Sequence, residues 1–281
     1  MKKKLIYTAL FSTVLLIASH QTIAQAEKAE AAIQQLMQTT PVVGLSVAVV
    51  KDNKIIYNHS FGYKDLEQKL PLQNDHIFRI ASISKSFTTT AIMQLVAEKK
   101  IRLDQDISEL VGFKVRNPAY PSTVITLKMA LSHRSSINDS EGYFSLDAID
   151  PATNPNFAKC YNAYEPDKGY MYCNLNYNLA GSILEKITGI RFDKYIQQQI
   201  LDPLGLYGGY NVNALDTQLI AGKTMIGHTG SAYGLYSILF FEPKEKIGFV
   251  VISNGCDTKT INGFNAVLHQ TVNSLYNNLI R

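Results

Sequence analysis

Two β-rich stretches near opposite ends of the chain most constrain its fold. VVGLSVAVV (residues 42–50) reads as a buried strand, KDNK as a turn, and IIYNHSFGY (55–63) as the returning strand of a hairpin. Far downstream, YGLYSILFF (233–241) and IGFVVISN (247–254) flank Glu242-Pro243-Lys244-Glu245, where proline suits the second position of a tight turn. Between them, from about 101 to 208, the pattern is helices and long loops, with Pro, Asn, Ser and Tyr concentrated over 112–170. Strands at both ends around a helical middle predict an α+β layout: an antiparallel sheet flanked by helices, with an inserted, mainly helical region. Helical spacing is clearest in Glu27–Gln38, ended by Pro41, and in Phe87, Ala91, Ile92, Leu95 and Val96. It recurs in Asn176–Ile187, Phe192–Ile200 and a last helix from about Ile261 to Leu279. There is no internal repeat.

Residues 1–26 stand apart. Lys2, Lys3 and Lys4 precede an apolar run from Leu5 to Ala18, and Ala24-Gln25-Ala26 has the form of a cleavage site, so this segment reads as a secretory signal. The run is short for a membrane span, and no later stretch is long enough. The expectation is an exported protein, periplasmic or extracellular, with 27–281 as a single domain and no transmembrane segment after cleavage. Without the three lysines, 24 basic residues face 23 acidic ones, and the net charge of +4 falls to +1. Neither a nucleic acid nor an anionic membrane is implied as partner. Of the three cysteines, Cys160 and Cys173 could close a small loop and leave Cys256 free, or all three could be thiols. No Cys or His pair has metal-ligand spacing, so no metal or other cofactor is expected.

Three short motifs carry chemistry. In RIASISKSFTTTAIMQLV (79–96), Ser82 and Lys85 are three apart at a helix start, on one face. The positive end of the helix dipole and any burial both favour a neutral amine, which makes Lys85 a candidate general base for a nucleophilic Ser82. The same spacing also suits an ordinary helix cap. In GYMYCNLNYNLAG, Tyr172 and Asn174 flank Cys173 just before a helix, and on an extended turn they project to one side as proton relay and amide anchor. A second Tyr-x-Asn, Tyr276-Asn277-Asn278, lies in the last helix, where it reads as surface. In KTMIGHTGSAYGLYS, His228-Thr229-Gly230 adjoins a strand, and its glycine lets substrate backbone approach closely.

In this order the motifs resemble those of the serine β-lactamase and penicillin-binding-protein family. The nearest branch is that of class C β-lactamase-like enzymes and D-alanyl-D-alanine carboxypeptidases or esterases. FRIASISKSFT is similar to the nucleophile motif, YCN to Tyr-x-Asn, and HTG to the Lys/His-Thr-Gly strand. GLSVAVVKDNKIIYNHSFGYKD, LDQDISEL, LSHRSSI and DPLGL extend the resemblance over nearly all of the mature chain. It implies that Ser82 is the acylated nucleophile and that Lys85 and Tyr172 share the base and proton-shuttle work. Asn174 would bind the substrate's amide, and His228, Thr229 and Gly230 would face its carboxylate or leaving group. The backbone N–H groups of Ser82 and Ser231 would form the oxyanion hole.

Three departures bear on the substrate. Class C β-lactamases place lysine where His228 stands, and an ordinary imidazole, with pKa about 6.5, is mostly neutral at pH 7. Glycine is usual at Ser136. Only 21 residues, Tyr207–Gly227, separate DPLGL from HTG, where relatives carry far more chain and build a pocket wall. With all three motifs intact, the expectation is a serine hydrolase with an open cleft. It would act through an acyl-enzyme on peptides ending in D-amino acids, such as peptidoglycan stems, or on small amides and esters. β-Lactam hydrolysis ranks below these. The competing expectation is a binding module that recognises a cell-wall peptide, or is acylated by β-lactams, without turnover.

Overall fold

The computed structural model describes residues 24–210, 228–232, 234–242, 246–261 and 264–280, and only the backbone of His228, Thr229, Ala232 and Glu242. Residues 1–23 of the expected signal over 1–26, the turn at Pro243, and residues 211–227 of the short segment over 207–227 lie outside the described residues. The chain forms two compact units, one from the described residues up to Ile83 and from His228 onward, the other from Ser84 to Tyr210.

The first unit is built on a six-stranded sheet: β1 (Gly44–Lys51), β2 (Lys54–Asp65), β3 (Leu70–Pro71), β4 (His228–Ala232), β5 (Leu235–Glu242) and β6 (Ile247–Ser253). Their order is β3-β2-β1-β6-β5-β4, and every pairing is antiparallel. The β1–β2 turn places Asp52 and Asn53 at φ 49° and 60°. Positive φ at both central residues is what a two-residue hairpin needs to match strand twist. β1 and β6 join the two halves of the chain, with Leu45 opposite Ser253, Val47 opposite Val251 and Val49 opposite Phe249. The predicted sheet of N- and C-terminal strands is thus present.

Period-two alternation puts Leu45, Val47 and Val49 on one buried face of β1. They share a core cluster with Ala29 and Ile33 of the helix over 24–39 (α1), and with Val267, Leu268 and Leu275 of a C-terminal helix. That last helix is shorter than its apolar pattern predicts. Thr260–Ile261 (β7) and Phe264–Asn265 (β8) form a small hairpin first. Asn265 then accepts bonds from Val267 N (3.1 Å) and Leu268 N (3.3 Å), which starts the helix at Ala266. The helix runs to Leu275 and a π turn follows over Tyr276–Ile280. Tyr276, expected at the surface, packs partly buried on the core cluster, its ring 6.4 Å from that of Phe249.

The second unit is helical, with α2 (Ser84–Ala97), α3 (Ile107–Val111), α4 (Leu127–Leu131), α5 (Leu175–Thr188) and α6 (Phe192–Ile196). α5 is its axis and touches the other four. Leu175, Leu179 and Ile183 recur every fourth residue, beside Ala180 and Leu184, and all five are fully buried. α2 buries Phe87, Ala91, Ile92 and Leu95 of the positions its spacing predicts, together with Thr88, while Val96 is half-buried. The loop between α4 and α5 is ordered by polar contacts. Ser136 stands at φ 64°, in the left-handed region, and its hydroxyl accepts a bond from buried Asn117 Nδ2 at 3.0 Å. That amide also reaches Asn162 O at 2.9 Å.

All three cysteines are free thiols. Buried Cys160 donates to Ala148 O (3.2 Å) and buried Cys173 to Asp139 Oδ1 (3.1 Å), so of the two arrangements the sequence allows, the unpaired one is found. No helix among the described residues is long and apolar enough to cross a membrane.

Candidate active site

The motif residues fall into two sets, one in each unit. In the sheet unit, Ser82 is the middle residue of a 3-10 turn, Ala81–Ile83, that leads without a break into α2. The first bond of the turn, Ile83 N to Ile80 O (3.1 Å), makes Ile80 the flanking residue, so Ser82 is not the cap. Ala81 adopts φ 45°, an uncommon conformation for a residue with a Cβ and one that concentrates at functional sites.

β4, the edge strand, packs against this turn. A Cβ on Gly230 would lie 2.5 Å from Ser237 Oγ, 2.7 Å from Ile80 O and 3.2 Å from Ala81 Cβ. No side chain fits there, so the glycine lets the strand approach the serine's turn, a closer role than the expected approach to substrate. Ser231 follows it on the strand and is exposed. An edge strand has backbone groups unpaired by the sheet on its open side, the type of donor an oxyanion hole uses. The roles expected of the His228 and Thr229 side chains lie outside the described residues.

In the helical unit, packing of α2 against α5 brings together residues far apart in sequence. Lys85 Nζ donates to Asn174 Oδ1 at 2.8 Å. It also lies 4.9 Å from the centre of the Tyr172 ring and 5.6 Å from that of Tyr177. Tyr177 is a participant that the sequence does not single out. Its hydroxyl donates to Leu131 O (3.1 Å) and pairs with Thr89 Oγ1 (3.1 Å), and burial pushes its pKa up. It is therefore a fixed neutral wall beside the amine.

The segment 133–139 lies behind Tyr172-Cys173-Asn174. His133, buried and at φ 58°, sets its ring 4.4 Å from that of Tyr172. Its Nδ1 accepts from Cys173 N at 3.1 Å, so the proton of the neutral ring is on Nε2. Asp139 accepts from Asn174 N (2.8 Å), Asn174 Nδ2 (2.9 Å) and Leu175 N (3.0 Å). The thiol of Cys173 points at the same carboxylate, and burial pushes its pKa up strongly. Cys173 is thus a buried, protonated donor rather than a reactive thiol. Both His133 and Asp139 stand in or just beyond LSHRSSI, and only a long-range contact to Tyr172-Cys173-Asn174 marks them out. Among the described residues no group of three His, Cys, Asp or Glu could hold a metal ion.

The sequence model of the Beta-lactamase family matches residues 29–210. The chain belongs to the Beta-lactamase family. Among curated relatives, the chain is 25% identical over 246 residues to penicillin-binding protein 4* of Bacillus subtilis (strain 168). That alignment covers 82% of this chain and 52% of the relative, so the chain spans about half the relative's length. Among solved structures, the octameric penicillin-binding protein homologue from Pyrococcus abyssi aligns with a TM-score of 0.66 at 22% identity. It covers 89% of this chain and 76% of that one. The D-amino acid amidase from Ochrobactrum anthropi SV3, complexed with L-phenylalanine amide, gives 0.66 at 18% identity, over 89% and 99% of the two chains. These likenesses show the β-lactamase/transpeptidase-like fold. The Beta-lactamase family match covers β1, β2 and β3 and the described part of the helical unit, and stops before β4.

Proposed function

We propose that this protein is an exported serine hydrolase that cleaves amides, esters or peptides of D-amino acids through an acyl-enzyme on Ser82. The observation that carries the reading is the Lys85–Asn174–Tyr172 cluster, assembled across 89 residues of chain at 2.8 Å between amine and amide oxygen. An ordinary helix cap at Ser82 would leave that assembly without a purpose. Ser82 Oγ attacks the substrate carbonyl while its proton passes to Lys85, with Tyr172 beside the amine to relay it to the leaving nitrogen or oxygen. The N–H groups of Ser82 and Ser231 take the developing oxyanion, a contribution of about 3–4 kcal/mol per donor in comparable sites. Collapse expels the amine or alcohol, and water then hydrolyses the ester on Ser82. No cofactor enters the scheme. The D-amino acid amidase that shares the fold supports the substrate class, as does the penicillin-binding relative. A histidine at 228, in place of a fixed cation, ranks β-lactam hydrolysis below amide and ester cleavage.

The test is to incubate the protein with a fluorescent penicillin, a fluorophosphonate and an activated ester. Labelling and ester turnover that both disappear in Ser82→Ala are expected. Labelling without turnover would instead identify an acylated binding module, the reading that the relative's name favours. No labelling by either probe, with no turnover, overturns the assignment of Ser82. A panel of D-aminoacyl amides, D-Ala-D-Ala peptides and short acyl esters then orders the substrates.

A further inference from the structure

The first backbone N–H groups of a helix have no partner within it, and the side chain at the N-cap position ordinarily supplies one. Asn174 occupies that position on α5, and asparagine is a preferred cap, yet its side chain makes no capping bond. Asp139, 35 residues upstream, does the work instead: Oδ2 accepts from Asn174 N at 2.8 Å and Oδ1 from Leu175 N at 3.0 Å. A carboxylate suits this place, because it meets the positive end of the helix dipole. Freed from capping, the Asn174 amide is turned outward to Lys85.

The direction in which the amide is turned is set by the same carboxylate. An amide's oxygen and nitrogen ends have nearly the same shape, so only its partners decide which end goes where. A carboxylate accepts, and a lysine amine can donate to the amide oxygen with or without its extra proton. Asn174 Nδ2 donates to Asp139 Oδ2 at 2.9 Å, which leaves Oδ1 to accept from Lys85 Nζ at 2.8 Å. Two further bonds fix the carboxylate and the peptide it grips. The Cys173 thiol donates to Asp139 Oδ1 at 3.1 Å, and Cys173 N donates to His133 Nδ1 at the other end of the same loop, also at 3.1 Å.

We propose that Asp139 is a positioning residue of the site: it caps α5 in place of Asn174 and locks the Asn174 amide with its oxygen towards Lys85. In this role it acts through Asn174. The inference rests on the hydrolase reading for its effect on rate, but not for its effect on geometry.

Asp139→Asn is close to isosteric and replaces one accepting oxygen by a donor that opposes Asn174 Nδ2. For ester turnover the expected result is a fall in kcat of about tenfold to a hundredfold, the scale of small misplacements in an active site, with KM changed less than about threefold. In the Asn174→Ala background the same substitution is expected to add less than about threefold, since the residue it acts through is gone. Asp139→Ser keeps one hydroxyl acceptor for the helix start and serves the same comparison if Asp139→Asn does not fold. Wild-type kcat in these variants, or losses that multiply fully with that of Asn174→Ala, overturns the proposal. A crystal structure of either variant reads the geometry without any activity: Asn174 Oδ1 is expected to leave hydrogen-bonding distance of Lys85 Nζ, and an unchanged contact refutes the lock. If the wild-type protein neither labels nor turns over, the hydrolase reading falls and that structure still decides the role of Asp139.

Discussion

At Gly230 a single methyl group decides whether a strand can meet its neighbour. Ile80 O, 2.7 Å from the added carbon, is backbone and cannot rotate away, unlike the Ser237 hydroxyl. Gly230→Ala is therefore expected to cost about 1–3 kcal/mol, as overpacking does, read from the urea midpoint. It should also slow labelling of Ser82, because Ile80 and Ala81 form the turn that carries it. The Ser136–Asn117 pair is a second place where one residue matters. Left-handed backbone at a serine is unfavourable, and Asn117 compensates by bonding both Ser136 Oγ and Asn162 O from a buried position. Asn117→Ala leaves those acceptors unpaired in the interior, and a loss of about 2–3 kcal/mol is expected by chemical denaturation. Ser136 was legible in the sequence as a departure from glycine, but its partner lies 19 residues away and carries no local signal.

Among the helices, α5 packs on the other four of its unit and starts just after Asn174. Leu179 is fully buried on its inner face, and Leu179→Ala is expected to destabilise the helical unit by about 2–5 kcal/mol, measured as a lower thermal midpoint. The start of α3 depends on charge instead. Burial opposes ionisation of Asp106, but bonds from Arg116 and from Ser108 N outweigh it and hold its pKa below the usual carboxylate range. A depressed folded-state pKa means that this stabilisation is present above the unfolded value and is lost as pH falls through the folded one. Asp106→Asn should therefore lower the urea midpoint at pH 7, and the gap from wild type should narrow below about pH 4. A gap unchanged between pH 7 and pH 3 would remove charge as the cause.

For the molecule as a whole, the sheet unit cannot be made from one end of the chain. An isolated hairpin is marginal in water, and β1 buries Leu45, Val47 and Val49 only in a cluster with β5, β6 and the C-terminal helix. The family match ends at residue 210, ahead of all of these. A chain truncated after Tyr210 is accordingly expected to be insoluble or to lack the native far-ultraviolet dichroism, even though it retains Ser82, Lys85, Tyr172 and Asn174. Soluble expression of that fragment with Ser82 still labelled would contradict this.

Much of this was present in one dimension. Apolar runs at 42–50, 55–63, 235–241 and 247–254, separated by turn residues, sufficed for β1, β2, β5 and β6, because a short turn between two such runs returns the chain antiparallel. The two-residue strands β3, β7 and β8 carried no such signal. Helical spacing likewise sufficed for α2 and α5. Ser82, Lys85, Tyr172 and Asn174 could be nominated because their motifs are short and local, and the structure brings Lys85, Tyr172 and Asn174 together. The C-terminal helix was misjudged by its apolar pattern, since a cap at Asn265 outweighs periodicity at a helix end. What only the tertiary structure decided is how the motifs are held. Gly230 against Ile80, Asn117 under Ser136, and Asp139 gripping Asn174 are contacts between segments far apart in sequence. Each depends on distances of a few tenths of an ångström, and no residue type or spacing records those until the chain has packed.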